Sequence, residues 1–412
     1  RRSLKSILKG VSLNSLPENS RGHGRQVEND NGGSSELGSH QSKIKERIMC
    51  SPARVNKAEG SSFNRKPAKK YFPLRTRWHE KSLGVLNLTN SLTYRAYGSP
   101  ADVLHLEENA LPAIGATEVK LRMLAAPINP SDYGMILGKY GENKALPAIG
   151  GREGVGEVIE VGDEVSTLTV GSRVIFPGEA GTWQTAAVVP AAGLRQVPAD
   201  LSIEFAATTM VNPPTAWRIL RDANLPKGSW VIQNAANSAV GLNVVQMARH
   251  LELRTLNVVR NEKWIGPLKE LGGDVVVTEE SGFVKDLSSL LGNERPILAI
   301  NSIGGESALR QLKSLGAGGT QVTIGAMTFD AIRFPTRQLI FNDITLKGFW
   351  MDRWYRDNLD TRVQIMFDSL FNLAKEGIID THVAAKYPLS DYKIALEEND
   401  ETRLGKVLFV GS

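Results

Sequence analysis

The sequence predicts an α/β fold in which a β-rich, barrel-like part precedes a doubly wound parallel sheet, with a long basic extension in front of both. Three observations predict it. The first eighty residues are charged and poor in apolar side chains; short β-rich runs recur from Ser91 onward; and Trp230 to Arg260 has the outline of a strand, a tight turn, a helix and a second strand.

Bulk properties set the limits. At 412 residues, 41% apolar and 23% charged, the chain is long enough for two domains with a large core. No apolar run approaches the roughly 20 residues that a membrane-spanning helix needs. The single cysteine, Cys50, excludes an internal disulfide framework and any cysteine-rich metal site. The net charge of +5 is unevenly spread: residues 1–80 hold 17 Lys/Arg against 7 Asp/Glu, so the remainder is net acidic. A nucleic-acid partner is therefore expected, if at all, only through that extension, which is poor in aromatics and has no recognisable binding fold.

Residues 1–16, RRSLKSILKGVSLNSL, contain no acid, and Leu4, Ile7, Leu8 and Val11 fall on one helical face, the composition of an organelle transit peptide. From Asn14 to Lys70 the chain is rich in Ser, Gly, Asn and charge, which disfavours an independent core and reads as presequence and linker. The alternative is an arm that docks by charge into a larger, acidic assembly.

In the β-rich part, strands are expected at Ser91–Ala96, Val103–Leu106, Glu118–Ala126, Val155–Val161, Arg173–Phe176 and Trp183–Val189, with Gly98, Pro100, Pro112 and Gly115 in the turns. In the unit at 230–260, Trp230-Val231-Ile232 is an apolar strand that stops at the polar cluster Gln233–Ser238. Leu242, Val245, Ala248 and Leu251 then follow at helical spacing, and Thr255–Val259 is the second strand. Such a unit sets a helix N-terminus at the carboxyl end of a strand, where a pyrophosphate can sit. Of the usual G-x-G-x-x-G only Gly241 survives in Ala236–Gly241, so the motif alone also fits an ordinary β-α-β unit.

Two further segments, Pro127-Ile128-Asn129-Pro130-Ser131-Asp132-Tyr133 leading to Gly138-Lys139-Tyr140-Gly141, and Gly150-Gly151-Arg152-Glu153-Gly154, stand in a telling order before Gly171-Ser172-Arg173-Val174 and the unit at 230–260. This order resembles the medium-chain dehydrogenase/reductase superfamily. The resemblance implies a GroES-like β-barrel catalytic domain over residues 81–206 and 374–412, a Rossmann domain over 207–373 and an extension over 1–80. The superfamily's zinc enzymes need an early cysteine and Gly-His-Glu where this chain has Gly151-Arg152-Glu153, so no metal site is expected.

Blocks including Gly181-Thr182-Trp183-Gln184, Met210-Val211-Asn212-Pro213-Pro214, Asn257-Val258-Val259-Arg260, Asn301-Ser302-Ile303-Gly304-Gly305 and Leu346-Lys347-Gly348-Phe349-Trp350 resemble one zinc-free branch, the mitochondrial trans-2-enoyl-thioester reductases. The resemblance runs from about Leu92 to Phe409. It implies NADPH-dependent reduction of enoyl-CoA or enoyl-acyl carrier protein in the mitochondrial matrix, by a homodimer. Two alternatives stay open: a reductase fold recruited as a subunit of a large mitochondrial complex, and a zinc-free quinone oxidoreductase.

The same resemblance assigns site residues. Tyr140 matches the family's catalytic tyrosine, whose O–H stabilises and protonates the enolate; its other reading is a packing residue. Asn237, Ser238, Ala239, Val240 and Gly241 are expected at the pyrophosphate. Asn212 matches an asparagine between cofactor and substrate, or else is a turn residue before Pro213. Arg260, where NAD enzymes carry an acid, is expected at the 2′-phosphate, or else is a solvated strand end. Ile324, Gly325, Ala326 and Met327, then Phe349, Trp350 and Met351 with Trp354, are expected beside the nicotinamide or acyl chain, although aromatic clusters after a strand also serve as core. Lys406 matches a lysine beside the cofactor. The chain departs from the family's common pattern at Tyr133-Gly134 and at Ile324, and Tyr133, seven residues before Tyr140, is not expected to replace it.

Overall fold

Residues 88–328, 330–400 and 403–411 are described by a computed structural model. The presequence, linker or anchoring arm expected in residues 1–80, and any nucleic-acid contact through it, lie outside the described residues. Among those residues no helix is long and apolar enough to cross a membrane.

The first half is built on antiparallel pairing. Strand Glu118–Pro127 is its centre, paired with Val155–Val161 on one side and with Ala186–Pro190 and Lys406–Val410 elsewhere along its length. Ten residues long and buried along most of that length, it reads as a central strand rather than as a half-exposed one. Arg173–Ile175 continues the sheet at one end and Val383–Pro388 at the other, the latter parallel to Lys406–Val410. A separate three-stranded sheet joins His105–Ala110, Leu88–Tyr94 and Ala148–Ile149. This is the barrel-like architecture expected, with the chain's last strand Lys406–Val410 returning to lie between Val383–Pro388 and Glu118–Pro127.

Two local expectations need correction. Residues 103–106 are not one strand: Pro100–Val103 forms a short helix with Pro100 in its first turn, where a missing N–H costs nothing, and the strand begins at His105. Likewise the strand expected from Trp183 begins at Ala186. Trp183 instead lies across the backbone at Gly150 and Gly151 and donates from its indole N–H to the Pro127 carbonyl at 3.1 Å. A Cβ at Gly150 would stand 2.4 Å from that ring, so the glycine pair is needed for the close approach.

In the second half six parallel strands run in the order Val275–Thr278, Arg254–Val259, Trp230–Gln233, Leu298–Asn301, Thr320–Thr323, Thr345–Gly348. This is the doubly wound order, which reverses direction between Trp230–Gln233 and Leu298–Asn301 and opens a crevice at their carboxyl ends. There the Asn234 side chain donates to Asn301 at 2.9 Å and accepts the Ser302 N–H at 2.7 Å.

Helix Ala239–His250 starts directly above that crevice, capped by Ser238, whose hydroxyl accepts the Gly241 N–H at 3.1 Å. The one glycine left of the fingerprint has a steric reason: a Cβ at Gly241 would lie 2.4 Å from the Ala236 carbonyl oxygen. Gly241→Ala is expected to push the helix off its strand and cost about 1–3 kcal/mol, as overpacking does. Denaturant unfolding of the variant checks this, and wild-type stability would show that the contact relaxes freely.

Candidate active site

A buried cluster and a half-buried one meet at the junction of the halves, and adjacent residues anchor them, Glu153 the first and Arg152 the second. The Glu153 carboxylate is fully buried. It accepts the Asn129 side-chain amide at 2.8 Å, the Asn212 amide at 3.4 Å, and the backbone N–H groups of Met210 and Val211 at 3.1 and 2.9 Å. Those N–H groups lead into helix Asn212–Ala223, whose second and third residues, Pro213 and Pro214, have no N–H to satisfy. An acid at this helix start is also favoured by the dipole.

Lys406, on the last strand, donates to the Asn129 side-chain oxygen and to the Ile128 carbonyl, the latter at 3.3 Å. The Asn129 side chain bridges Glu153 and Lys406, while at the helix start Asp132 accepts the Asn129 backbone N–H at 2.7 Å and donates its own N–H to the Asn129 carbonyl at 3.0 Å. Burial pushes the Glu153 carboxyl up and the Lys406 ammonium down from their ordinary values, with the attraction between them opposing both changes. Burial likewise raises Asp132 to about 6.

The second cluster surrounds Tyr140. Its phenol oxygen accepts Arg152 Nη1 at 2.9 Å and the Trp350 indole N–H at 3.0 Å. The Trp350 and Tyr140 rings meet edge to face at 5.9 Å, and Arg152 Nη2 pairs with Asp352. Beyond them Arg356 pairs with Glu142. The loop carrying Tyr140 is thereby clasped to helix Met351–Asp357 of the second half. Burial raises the Tyr140 pKa, Arg152 opposes the rise and Asp352 adds to it. Tyr133, by contrast, is buried in the first half's core with its hydroxyl donating to the Leu396 carbonyl at 3.3 Å.

The remaining expected residues line the carboxyl edge of the parallel sheet. Ser238–Gly241 follow strand Trp230–Gln233; Arg260 follows Arg254–Val259; Ile324–Met327 follow Thr320–Thr323; Phe349 and Trp350 follow Thr345–Gly348. Arg260 is exposed and makes no ion pair among the described residues. The Asn237 side chain donates to the Arg403 carbonyl at 3.0 Å, so it offers a ligand its backbone. Met351 is 5% exposed and lies within the core, against which the partly buried Phe349 packs. Lys406 is 3% exposed and engaged by Asn129, which makes it a support for that side chain. Sequence reasoning did not assign Asn129, Arg152, Glu153 or Asp352 to the site. The available signal was an arginine followed by a glutamate between glycines, at the position where zinc enzymes carry a ligand.

Removing one member of the Glu153–Asn129–Lys406 chain leaves a buried charge without its counterpart. Lys406→Met is expected to cost about 3–5 kcal/mol, and the double variant Glu153→Gln/Lys406→Met to recover much of it. Thermal unfolding of the three proteins reads this out; additive losses would disprove the coupling.

Residues 115–199 match the family model described as "Alcohol dehydrogenase GroES-like domain" and residues 239–367 the one described as "Zinc-binding dehydrogenase". The donor set does not fit zinc: Arg152 is committed to Tyr140 and Asp352, the Glu153 oxygens are fully engaged, and no group of three His, Cys, Asp or Glu comes together among the described residues. The chain is 42% identical over 321 residues to the mitochondrial enoyl-[acyl-carrier-protein] reductase of Homo sapiens, covering 74% of this chain and 84% of that one. It is 40% identical over 319 residues to a Caenorhabditis elegans protein of the same name, covering 75% and 91%. Of solved structures, the Etr1p/NADP/crotonyl-CoA complex superposes with a TM-score of 0.72 at 27% identity, covering 78% of this chain and 99% of that one. A "putative NADPH:quinone reductase" from Bacillus thuringiensis gives 0.73 at 29%, covering 79% and 99%. With 42% identity across most of both chains, this protein belongs to the mitochondrial enoyl-[acyl-carrier-protein] reductase family.

Proposed function

We propose that the chain reduces the carbon–carbon double bond of trans-2-enoyl thioesters, carried on coenzyme A or acyl carrier protein, with NADPH, in the mitochondrial matrix. The observation that carries this is the state of the Tyr140 oxygen. It accepts two N–H donors, from Arg152 and Trp350, which uses both of its lone pairs. Its own O–H is left to donate outward. That is the group needed where an enoyl thioester, once attacked at the β-carbon, becomes an enolate awaiting a hydrogen bond and a proton.

NADPH, when bound, supplies the hydride. The residues proposed to hold it are the N–H groups of Asn237, Ala239 and Val240 for the pyrophosphate, in a turn shaped by Ser238 and Gly241, whose own N–H groups are bonded to the Ala235 carbonyl and the Ser238 hydroxyl; Arg260 for the 2′-phosphate; and Asn212, Ile324–Met327, Phe349 and Trp350 toward the nicotinamide, with Lys406 and Met351 supporting from behind. The first turn of helix Ala239–His250 has N–H groups without intrahelical acceptors and a positive dipole end, both suited to phosphate. Exposed Arg260 at the end of the neighbouring strand suits the extra phosphate of NADPH.

The second partner proposed is another copy of this chain. Strand Thr345–Gly348 ends the parallel sheet and is exposed along its length, its own Leu346 at 39%, and Ile340 and Phe341 on the preceding helix Thr336–Phe341 are 66% and 70% exposed. An exposed, apolar sheet edge of this kind is normally covered, and the neighbouring structure "Etr1p/Etr2p heterodimer" is a pair of chains.

Crotonyl-CoA or 2-hexenoyl-CoA is expected to drive NADPH oxidation, and Tyr140→Phe to lower kcat roughly 10²- to 10⁴-fold with NADPH binding retained. Protein that binds NADPH but oxidises it with no enoyl thioester, or faster with a quinone, overturns the reading. Arg260→Ala should reduce kcat/KM for NADPH roughly tenfold or more and leave NADH little changed, since it removes one charged hydrogen-bond donor; equal losses with both would remove Arg260 from the 2′-phosphate. Light scattering is expected to show a dimer that Ile340→Glu/Phe341→Glu splits, and a monomeric parent chain would refute the pairing.

A further inference from the structure

Arg152 is more than a partner for an acid. Its guanidinium is 13% exposed and does three things at once: it donates to the Tyr140 oxygen at 2.9 Å, lies over the Tyr140 ring at 4.6 Å, and pairs with Asp352 from the opposite half. Charge neutralisation alone requires only Asp352. The stacking and the second hydrogen bond both fall on Tyr140.

We infer that Arg152 is a positioning residue for proton delivery by Tyr140, held in place by Asp352 across the junction of the two halves. This rests on the enoyl-thioester reading above. In the step concerned the Tyr140 O–H bond breaks, a C–H bond forms at the enolate α-carbon, and the O–H electron pair stays on the phenolate oxygen, which water later reprotonates. The hydrogen bonds from Arg152 and Trp350 thus end on an oxygen that turns negative as the proton leaves. Arg152 is charged in both states, but only the phenolate adds an attraction between opposite charges, so Arg152 stabilises the transferring state more than the starting one. The flat guanidinium fork also fixes the ring's direction, which an ammonium cannot do as well.

The charged groups facing Tyr140 set the sign of the effect. Arg152, from the Gly151–Glu153 turn, favours the phenolate; Asp352, from helix Met351–Asp357, disfavours it; the Glu142–Arg356 pair at the loop's outer end is itself neutralised. Removing Arg152 therefore moves Tyr140 ionisation to higher pH.

The test uses the full chain with Arg152→Met, Arg152→Gln and Arg152→Lys, and follows Tyr140 by the phenolate absorbance that disappears in Tyr140→Phe. In Arg152→Met and Arg152→Gln this titration, and with it the alkaline limb of kcat, should move upward. With crotonyl-CoA, kcat should fall about tenfold or more while KM for NADPH stays within about twofold, as expected when a group acts only as charge develops. Arg152→Lys should restore most of the titration and part of kcat. Gln matches the arginine's polarity more closely than Met, so it carries the test if the Met variant does not fold. An unmoved Tyr140 titration in a folded variant overturns the proposal, as does a kcat loss that Lys leaves unrepaired. Absence of enoyl-thioester turnover in the parent chain would refute the functional reading separately, since the absorbance titration needs no substrate.

Discussion

The Glu153 carboxylate, buried and surrounded by donors, is the constraint on which the site depends. Four stretches far apart in sequence converge on it or on its bridge Asn129: the turn at 128–132, the glycine-flanked turn at 151–154, the start of helix Asn212–Ala223, and strand Lys406–Val410. A buried carboxylate tolerates little freedom, because each donor lost leaves an uncompensated charge in a medium that screens poorly. The join between the two halves is for this reason specified by hydrogen-bond direction as well as by apolar packing. The chain's return to its first sheet at Lys406 belongs to the same network.

From that fixed join the rest of the site follows by short steps. Glu153 directs its side chain toward the buried knot, and Arg152, one residue earlier, reaches Tyr140 and Asp352. Tyr140 is thus set relative to the carboxyl edge of the parallel sheet by a pair of consecutive residues. Trp350, placed by the end of strand Thr345–Gly348, fixes the phenol from the other side. Gly141 permits this: a Cβ there would meet the Trp350 ring at 3.0 Å.

Local pattern made much of this readable. The apolar run at Trp230, the polar break and the helical spacing from Leu242 are properties of neighbouring residues, and they yield the central β-α-β unit with only small changes of boundary. Residues 103–106 misled because apolar alternation there crosses a helix end, and Ser99-Pro100 is the stronger local signal. Arg152 and Asp352 were not legible for a different reason. They are 200 positions apart, Arg152 stands out only as the residue where zinc enzymes carry a ligand and Asp352 reads as an ordinary charge, and only the fold makes them a pair. Met351 and Lys406 show the complementary limit, since a motif position gives proximity to a site without telling which side chains face it and which support it from behind.

Stability does not account for retaining these charges. Removing an ammonium and a carboxylate from water costs several kcal/mol per ion, and well-packed apolar side chains of the same size often serve stability as well or better. What an apolar pair cannot do is orient an amide. Asn129 has its oxygen turned to Lys406 and its N–H group to Glu153, and that polarity determines which way the amide faces. Asn212 donates to both Asn129 and Glu153, so its own oxygen is directed away from the knot. The physical return on burying Glu153 and Lys406 is therefore direction: they convert a tolerant apolar junction into one where Asn129, Asn212 and, through Arg152, Tyr140 are each left with a single orientation.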